Sequence, residues 1–233
     1  MLLFDNTGRL FDLDTGPNVY IFDPPYTNGP SLTVSSKPTE INAAAFDTGN
    51  DLYLVGGGTP AGGTTLWRCA APAYTSCSSY YYTPLRFAGD ALAIDKNNTL
   101  YTGVGHKVYP THILGELHPP YTQVSVRKNL SFNVSSVEIF PGQIFVGGSK
   151  YATVYLNAYP GSIQATPIRV PSAIVDAPGY LGPFTVDKER VLFASSGTDF
   201  APCVAVVPYP YQKVERCLTE PPRGIIRAML IIP

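Results

Sequence analysis

One strand–turn–strand unit recurs five times along these 233 residues, and a repeat at that spacing restricts the possible folds more than any composition does. Its clearest copy is Ala91–Gly103, ALAIDKNNTLYTG: a short apolar strand, a polar turn opening on Asp95, and a second strand ending in glycine. The same unit reads LLFDNTGRLFDL at 2–13, AAAFDTGNDLYLVGG at 43–57, VEIFPGQIFVGG at 137–148 and PFTVDKERVLFASSG at 183–197. Alignment on the apolar residue before each turn gives Phe4, Phe46, Ile94, Ile139 and Val186, in steps of 42, 48, 45 and 47 residues. Ile231, in the terminal MLIIP, follows 45 residues later.

The rest of each unit repeats as well. Third strands read NVYIFDPP (18–25), TLWRCAAP (65–72), KVYPTHIL (107–114), TVYLNAYP (153–160) and CVAVVPYP (203–210). The turns that follow carry Pro25-Tyr26-Thr27, Pro72-Ala73-Tyr74-Thr75, Pro120-Tyr121-Thr122 and Pro210-Tyr211-Gln212, with Tyr159-Pro160-Gly161 in the fourth unit. Fourth strands (SLTVSSK, SYYYTPL, QVSVRKN, QATPIRV, KVERCLT) are more polar. That suits an outer edge, where proline and charge block pairing with another chain. First strands such as AAAF and ALAI are small and apolar, as crowding around a central channel requires. No segment sustains an apolar period of 3.6, so almost no helix is expected.

This pattern resembles the β-propeller superfamily across the full chain. In size and blade length it is similar to five-bladed propellers, including tachylectin-type lectins with their strand–turn–LYAV-like units. The resemblance implies an all-β, five-bladed β-propeller with four antiparallel strands per blade, in one domain over 1–233. Its blades fall at about 1–42, 43–90, 91–136, 137–182 and 183–228, with 229–233 as a closing strand. Those lectins place tryptophan-rich loops around sugar pockets, whereas this chain has one tryptophan, Trp67, inside a third strand.

Composition narrows the function classes. Charged residues make up 14%, against a usual quarter, and the net charge is −1 with no run of like charge. A grip on nucleic acid needs clustered cations, so none is expected. No apolar run is long enough to cross a bilayer, and the start, MLLFDNTG, has neither a basic leader nor a long apolar segment. Neither membrane insertion nor a secretory signal is expected.

The four cysteines form two symmetric pairs. Cys69 and Cys77 lie equidistant from Ala73, and Cys203 and Cys217 from Pro210. Residues equidistant from a hairpin turn face each other across the strands, so two disulfides are expected; four buried thiols are the other reading. Neither the spacing nor a neighbouring histidine suits zinc. Disulfides without a signal suggest an intracellular protein of a hyperthermophile, or a virion-associated one. Low charge with abundant tyrosine and proline resembles, in style, some proteins of viruses that infect hyperthermophilic archaea, and thermostability goes with that resemblance.

Several stretches carry a chemical signature. Phe46-Asp47-Thr48-Gly49 after three alanines looks like an aspartic-protease loop, and Asp14-Thr15-Gly16 supplies a second D-T-G. Asp47, however, occupies the slot held by Asp5, Asp95 and Asp187, where a short side chain caps a hairpin turn. Asp14 sits in a different slot. Five-bladed glycoside hydrolases carry channel carboxylates as acid and base or nucleophile, and Glu138 is the one carboxylate inside a first-strand segment. Asp12-Leu13-Asp14 starts like a calcium loop but lacks the remaining oxygen ligands. His106, His112 and His118 fall on turn, strand and turn, and do not converge. Gly56–Gly63 lacks the Lys-Ser/Thr pair of a phosphate loop. No cofactor, metal or catalytic residue is expected.

What remains is asymmetry among loops, where a rigid scaffold concentrates function. One face should carry the variable insertions 56–64, 147–152 and 195–202 together with the blade crossovers. Its candidate ligand-binding residues are Lys150, Tyr151, Asp199 and Phe200 from the insertions, and Arg86, Asp90, Asp176 and Tyr180 from the crossovers. The repeated Pro–Tyr turns on the opposite face read as packing. The expected function is a non-catalytic binding module for a protein or glycan. A glycan-active hydrolase and a self-associating structural virion component are the alternatives.

Overall fold

The computed structural model describes the chain except for residues 15, 36–39, 58–64, 76, 81–85, 106–111, 141, 151–152, 171–180, 188–191, 197–202, 214 and 219–233. Among the described residues there are twenty strands and no helix. They form five four-stranded sheets, each an antiparallel meander with strands side by side in chain order. Two compact units divide the chain, Met1–Asn129 with three sheets and Leu130–Pro233 with two.

In the first unit the first sheet holds β1 (Leu2–Phe4), β2 (Leu10–Leu13), β3 (Asn18–Phe22) and β4 (Leu32–Ser35). The second holds β5 (Glu40–Phe46), β6 (Leu52–Gly57), β7 (Thr65–Cys69) and β8 (Cys77–Tyr80). The third holds β9 (Arg86–Ile94), β10 (Leu100–Gly105), β11 (Ile113–Leu117) and β12 (Val126–Asn129). In the second unit the fourth sheet holds β13 (Asn133–Phe140), β14 (Gln143–Lys150), β15 (Thr153–Pro160) and β16 (Ile168–Arg169). The fifth holds β17 (Leu181–Val186), β18 (Leu192–Ser196), β19 (Cys203–Val207) and β20 (Arg216–Leu218).

Two readings of the strands need correction. First strands begin earlier than the apolar pattern indicates, at Glu40, Arg86, Asn133 and Leu181, so the blade boundaries at 43, 91, 137 and 183 fall inside them. The cause is a bulge. Register shifts interrupt four of the five first-strand pairings, at Ile41/Ala43, Thr102/Val104, Val134/Ser136 and Leu181/Phe184. A bulge breaks the two-residue alternation that marks a strand in sequence. The described third strand of the third sheet, Ile113–Leu117, runs three residues past the expected end at 114, and 107–111 lie outside the described residues. The terminal MLIIP lies outside the described residues.

The Asp-led turns show how local sequence sets the frame. Asp5 Oδ1 accepts from the backbone of Thr7 and Arg9 (both 2.9 Å), and Asp95 Oδ1 from that of Asn97 (2.8 Å) and Thr99 (2.7 Å). Asp47 Oδ1 takes the Asp51 N–H at 2.9 Å. The third residue after each aspartate has positive φ: Gly8 at 85°, Asn50 at 70° and Asn98 at 60°. These are three-residue hairpins whose last position is left-handed, which glycine and asparagine tolerate best.

The Pro–Tyr turns lock onto them. Each follows a cis proline (Pro25, Pro72, Pro120, Pro210), and the tyrosine itself has positive φ between 54° and 64°. Its hydroxyl reaches the carbonyl of the left-handed residue in the same sheet: Tyr26 on Gly8, Tyr74 on Asn50 (3.0 Å), Tyr121 on Asn98 (2.8 Å). In the second, third and fifth sheets its ring stands edge-on to an aromatic from the second strand of the preceding sheet. The pairs are Phe11–Tyr74 at 5.0 Å, Tyr53–Tyr121 at 5.4 Å and Phe145–Tyr211 at 5.1 Å. Within the first unit the asparagines add a further link between sheets. Asn50 Oδ1 accepts from the Asn6 N–H (3.1 Å), and Asn98 Oδ1 from the Thr48 N–H (2.9 Å).

Cores form between successive sheets of a unit. Phe11, Leu13, Val19 and Ile21 pack with Leu52, Leu54 and Tyr74; Tyr53, Val55 and Leu66 pack with Leu92, Leu100 and Tyr121. In the second unit Phe145, Leu156 and Ala158 pack with Phe184, Val186, Val207 and Tyr211. The fourth sheet departs from the pattern at both of its turns. A two-residue hairpin with Gly142 at φ 79° replaces the Asp-led one, and Gly161 at φ 68° takes the left-handed position beside Tyr159. A Cβ at Gly148 would sit 1.6 Å from the Asn133 backbone oxygen, so only glycine lets β14 approach β13 there.

Candidate functional site

The residues expected on the loop face are not gathered by the described structure. Lys150 is exposed at the end of β14. Arg86 and Asp90 lie within β9 and not in a crossover, because that strand starts before its bulge. Tyr151, Asp176, Tyr180, Asp199 and Phe200 lie outside the described residues. Residues 147–150 belong to β14 and not to an insertion, paired in register with β15.

The signatures weighed as chemistry are mostly accounted for by structure. The Asp-led turns occupy Asp5, Asp47 and Asp95. Burial pushes the Asp5 carboxyl up, but hydrogen bonds from Thr7 and Arg9 outweigh it and hold the group below the usual carboxylate range. Arg9 also pairs with Asp5 at 2.8 Å and lies 5.0 Å from the Tyr74 ring centroid. Asp14 Oδ1 accepts from Gly16 (2.8 Å) and Asn18 (3.3 Å), closing its own turn. His112 precedes β11 in irregular chain, not in a strand, and His118 pairs with Glu116 at 3.3 Å. Among the described residues no group of three His, Cys, Asp or Glu could hold a metal ion. Nor is any helix long and apolar enough to cross a membrane.

Cys69 and Cys77 face each other across β7 and β8 and are joined at 2.02 Å. The second pair does not face in that way. Cys217 stands opposite Ala205, and Val206 opposite Arg216, so the turn is centred on Tyr211 and not on Pro210.

A cluster the loop reading misses lies on the first strand of the fourth sheet. Asn133, Ser136 and Glu138 pair in register with Ser149, Gly147 and Phe145, so all three share one face of the sheet. Asn133 Oδ1 and Ser136 Oγ are buried and have no hydrogen-bond partner. Glu138 is exposed, yet the protein crowding around it withdraws enough water to push its carboxyl up to about 7. Phe140 on the same face is half-buried, 6.0 Å from Phe145.

Register shows how unusual this strand is. Opposite the second-strand aromatic, the five first strands carry Leu3, Ala45, Ala93, Glu138 and Thr185. Two residues earlier stand Met1, Ala43, Ala91, Ser136 and Pro183. The fourth strand alone is polar at both positions. A buried polar atom without a partner costs about 1–3 kcal/mol, so such a pair needs an explanation beyond packing.

No protein-family model and no curated protein matches the sequence. Solved structures do match. A protein of unknown function from Bacteroides caccae superposes with a TM-score of 0.70 at 10% identity, over 97% of this chain and 84% of that one. Virginiamycin B lyase from Staphylococcus aureus gives 0.65 at 8% identity, over 97% and 72%. The Neurospora crassa Pan2 WD40 domain gives 0.66 at 10%, over 98% and 67%. Identity that low carries the fold and nothing of the chemistry. The chain has a β-propeller fold, all-β, built of four-stranded antiparallel blades.

Proposed function

We propose that this chain is a non-catalytic interaction module whose five four-stranded sheets close into one five-bladed ring, a single domain over 1–233. Its variable loop face engages a protein or a surface glycan. The observation that carries this reading is the self-satisfaction of the opposite face. There the turn aspartates and the Tyr74 and Tyr121 hydroxyls bond to the protein itself. Recognition then falls to the connections that differ between sheets and to the strand ends beside them, with Lys150 closing β14 and Tyr151, Asp176, Tyr180, Asp199 and Phe200 outside the described residues. The test is Lys150→Ala with Tyr151→Ala: retained glycans or a bound partner should be lost at least tenfold, and unchanged affinity would sink the loop-face reading.

One observation favours an enzyme instead. A carboxyl with a pKa of about 7, as at Glu138, suits a general acid at neutral pH. Glycoside hydrolysis needs a second carboxyl about 5–10 Å away. Release of chromophore from aryl glycosides, abolished by Glu138→Gln, would replace the binding reading with this one.

A further inference from the structure

We propose that Asn28-Gly29, in the connection between β3 and β4, is a self-modification site, where the chain converts Asn28 without an enzyme into an aspartyl or isoaspartyl residue. This goes beyond the interaction-module reading and does not depend on it. The deprotonated backbone nitrogen of Gly29 attacks the side-chain carbonyl carbon of Asn28. The new N–C bond closes a five-membered succinimide, and the side-chain amide C–N bond breaks to release ammonia. The proton that Gly29 gives to solvent base is restored on the departing ammonia. Water then opens the ring at one carbonyl or the other, leaving the chain to run through the main-chain carbonyl (aspartyl) or the side-chain carbonyl (isoaspartyl). No electrons are exchanged, and water is the only co-reactant.

Three observations single out this asparagine. It is the only one in the chain followed by glycine, and a side chain on the following residue hinders ring closure. A Cβ at Gly29 would meet nothing within 4 Å, so the attacking nitrogen is uncrowded. Next, the connection is not pinned: residues 23–31 are all exposed. The matching connection of the third sheet carries Val124, partly buried against Leu100, Leu117 and Tyr121. From the left-handed tyrosine to the serine whose N–H rejoins the ladder, Tyr26 to Ser31 is one residue longer than Tyr121 to Ser125. Asn28-Gly29-Pro30 fills the span that the valine anchors in the third sheet. Last, neither the Asn28 side chain nor the Gly29 N–H bonds to a described residue. After Asn6, Asn50 and Asn98 the following nitrogen is held, by Asp5 (2.9 Å), Asp47 (2.9 Å) and Asp95 (2.7 Å). Each of those bonds must break before its nitrogen can attack.

The product adds one negative charge to a chain whose formal net charge is −1. It does so in a loop that buries no side chain, so the fold survives the change. The experiment is incubation of the folded chain at pH 6 and pH 8, with peptide fragmentation to place each amide-to-acid conversion and methyltransferase labelling to count isoaspartate. Conversion should appear at Asn28 ahead of every other asparagine, and faster at pH 8, because the attacking nitrogen is deprotonated. Its rate should stay within tenfold of that of the same chain unfolded in urea, since nothing in the fold shields the site. Gly29 is not left-handed and has open space around it, so Gly29→Ala should keep the urea midpoint while slowing conversion at least tenfold. Asn28→Asp, which carries the product's charge, should melt as wild type does. Asn28 converting more than tenfold slower folded than unfolded overturns the proposal. So does equal conversion at several asparagines of the folded chain, or an unchanged rate in Gly29→Ala.

Discussion

Tyr74 sits at φ 54°, a conformation that costs a residue with a Cβ about 1–3 kcal/mol. Its ring is fully buried edge-on to Phe11 and its hydroxyl holds the Asn50 carbonyl, so burial and bonding offset the strain. Tyr74→Phe keeps the ring and strands that carbonyl. Chemical denaturation should show a loss of about 1–2 kcal/mol. Tyr26, in the same turn geometry but 41% exposed, should lose less when changed to Phe. Burial also pushes the phenols of Tyr74 and Tyr121 up to about 12. A folded-state pKa above the unfolded value of about 10 means a stabilisation intact below pH 10 and lost as pH rises towards 12. The urea midpoint should therefore fall across that window, and less in Tyr74→Phe. The aspartate caps were legible in the sequence because their chemistry is local. The left-handed tyrosines were not, since a residue with a Cβ seldom takes that backbone and nothing in the Pro–Tyr dipeptide itself announces it.

Individual strands were readable where turns anchor them. Each described third strand that precedes a cis proline ends three residues before it: Phe22 before Pro25, Cys69 before Pro72, Leu117 before Pro120, Val207 before Pro210. Counting back from Pro120 gives the end of β11 at Leu117, three residues beyond the end of the apolar run at 107–114. An aromatic directly after the first apolar residue of every second strand (Phe11, Tyr53, Tyr101, Phe145, Phe193) was equally available as a signal for the packing between sheets. Non-reducing peptide mapping should recover Cys69 linked to Cys77. A second linked pair in the same map supports 203–217, and two alkylatable thiols overturn it. The fourth sheet yields a pH prediction. Crowding raises Glu138 to about 7, so its contribution is complete below about pH 4 and is lost as pH rises through 7. Glu138→Gln should melt higher than wild type at pH 8 and equally at pH 4, and a difference of the same size at both would contradict this assignment.

For the molecule as a whole, the repeat spacing made the architecture visible, because sheets that bury one another's faces must repeat their apolar and turn residues in step. Function has no such period. The loops differ because nothing in the frame constrains them, and the polar run on β13 appears in sequence only as Ser136 and Glu138 where β5 and β9 carry alanine. Its meaning depends on the bulge at Val134/Ser136, which brings Asn133 onto the same face. The most direct test of the interaction reading is binding of the labelled chain to a broad glycan array, with and without a chelator. For a glycan ligand the account predicts reproducible binding to at least one glycan class, retained with chelator. A blank array under both conditions would contradict the glycan form of the account and leave a protein partner.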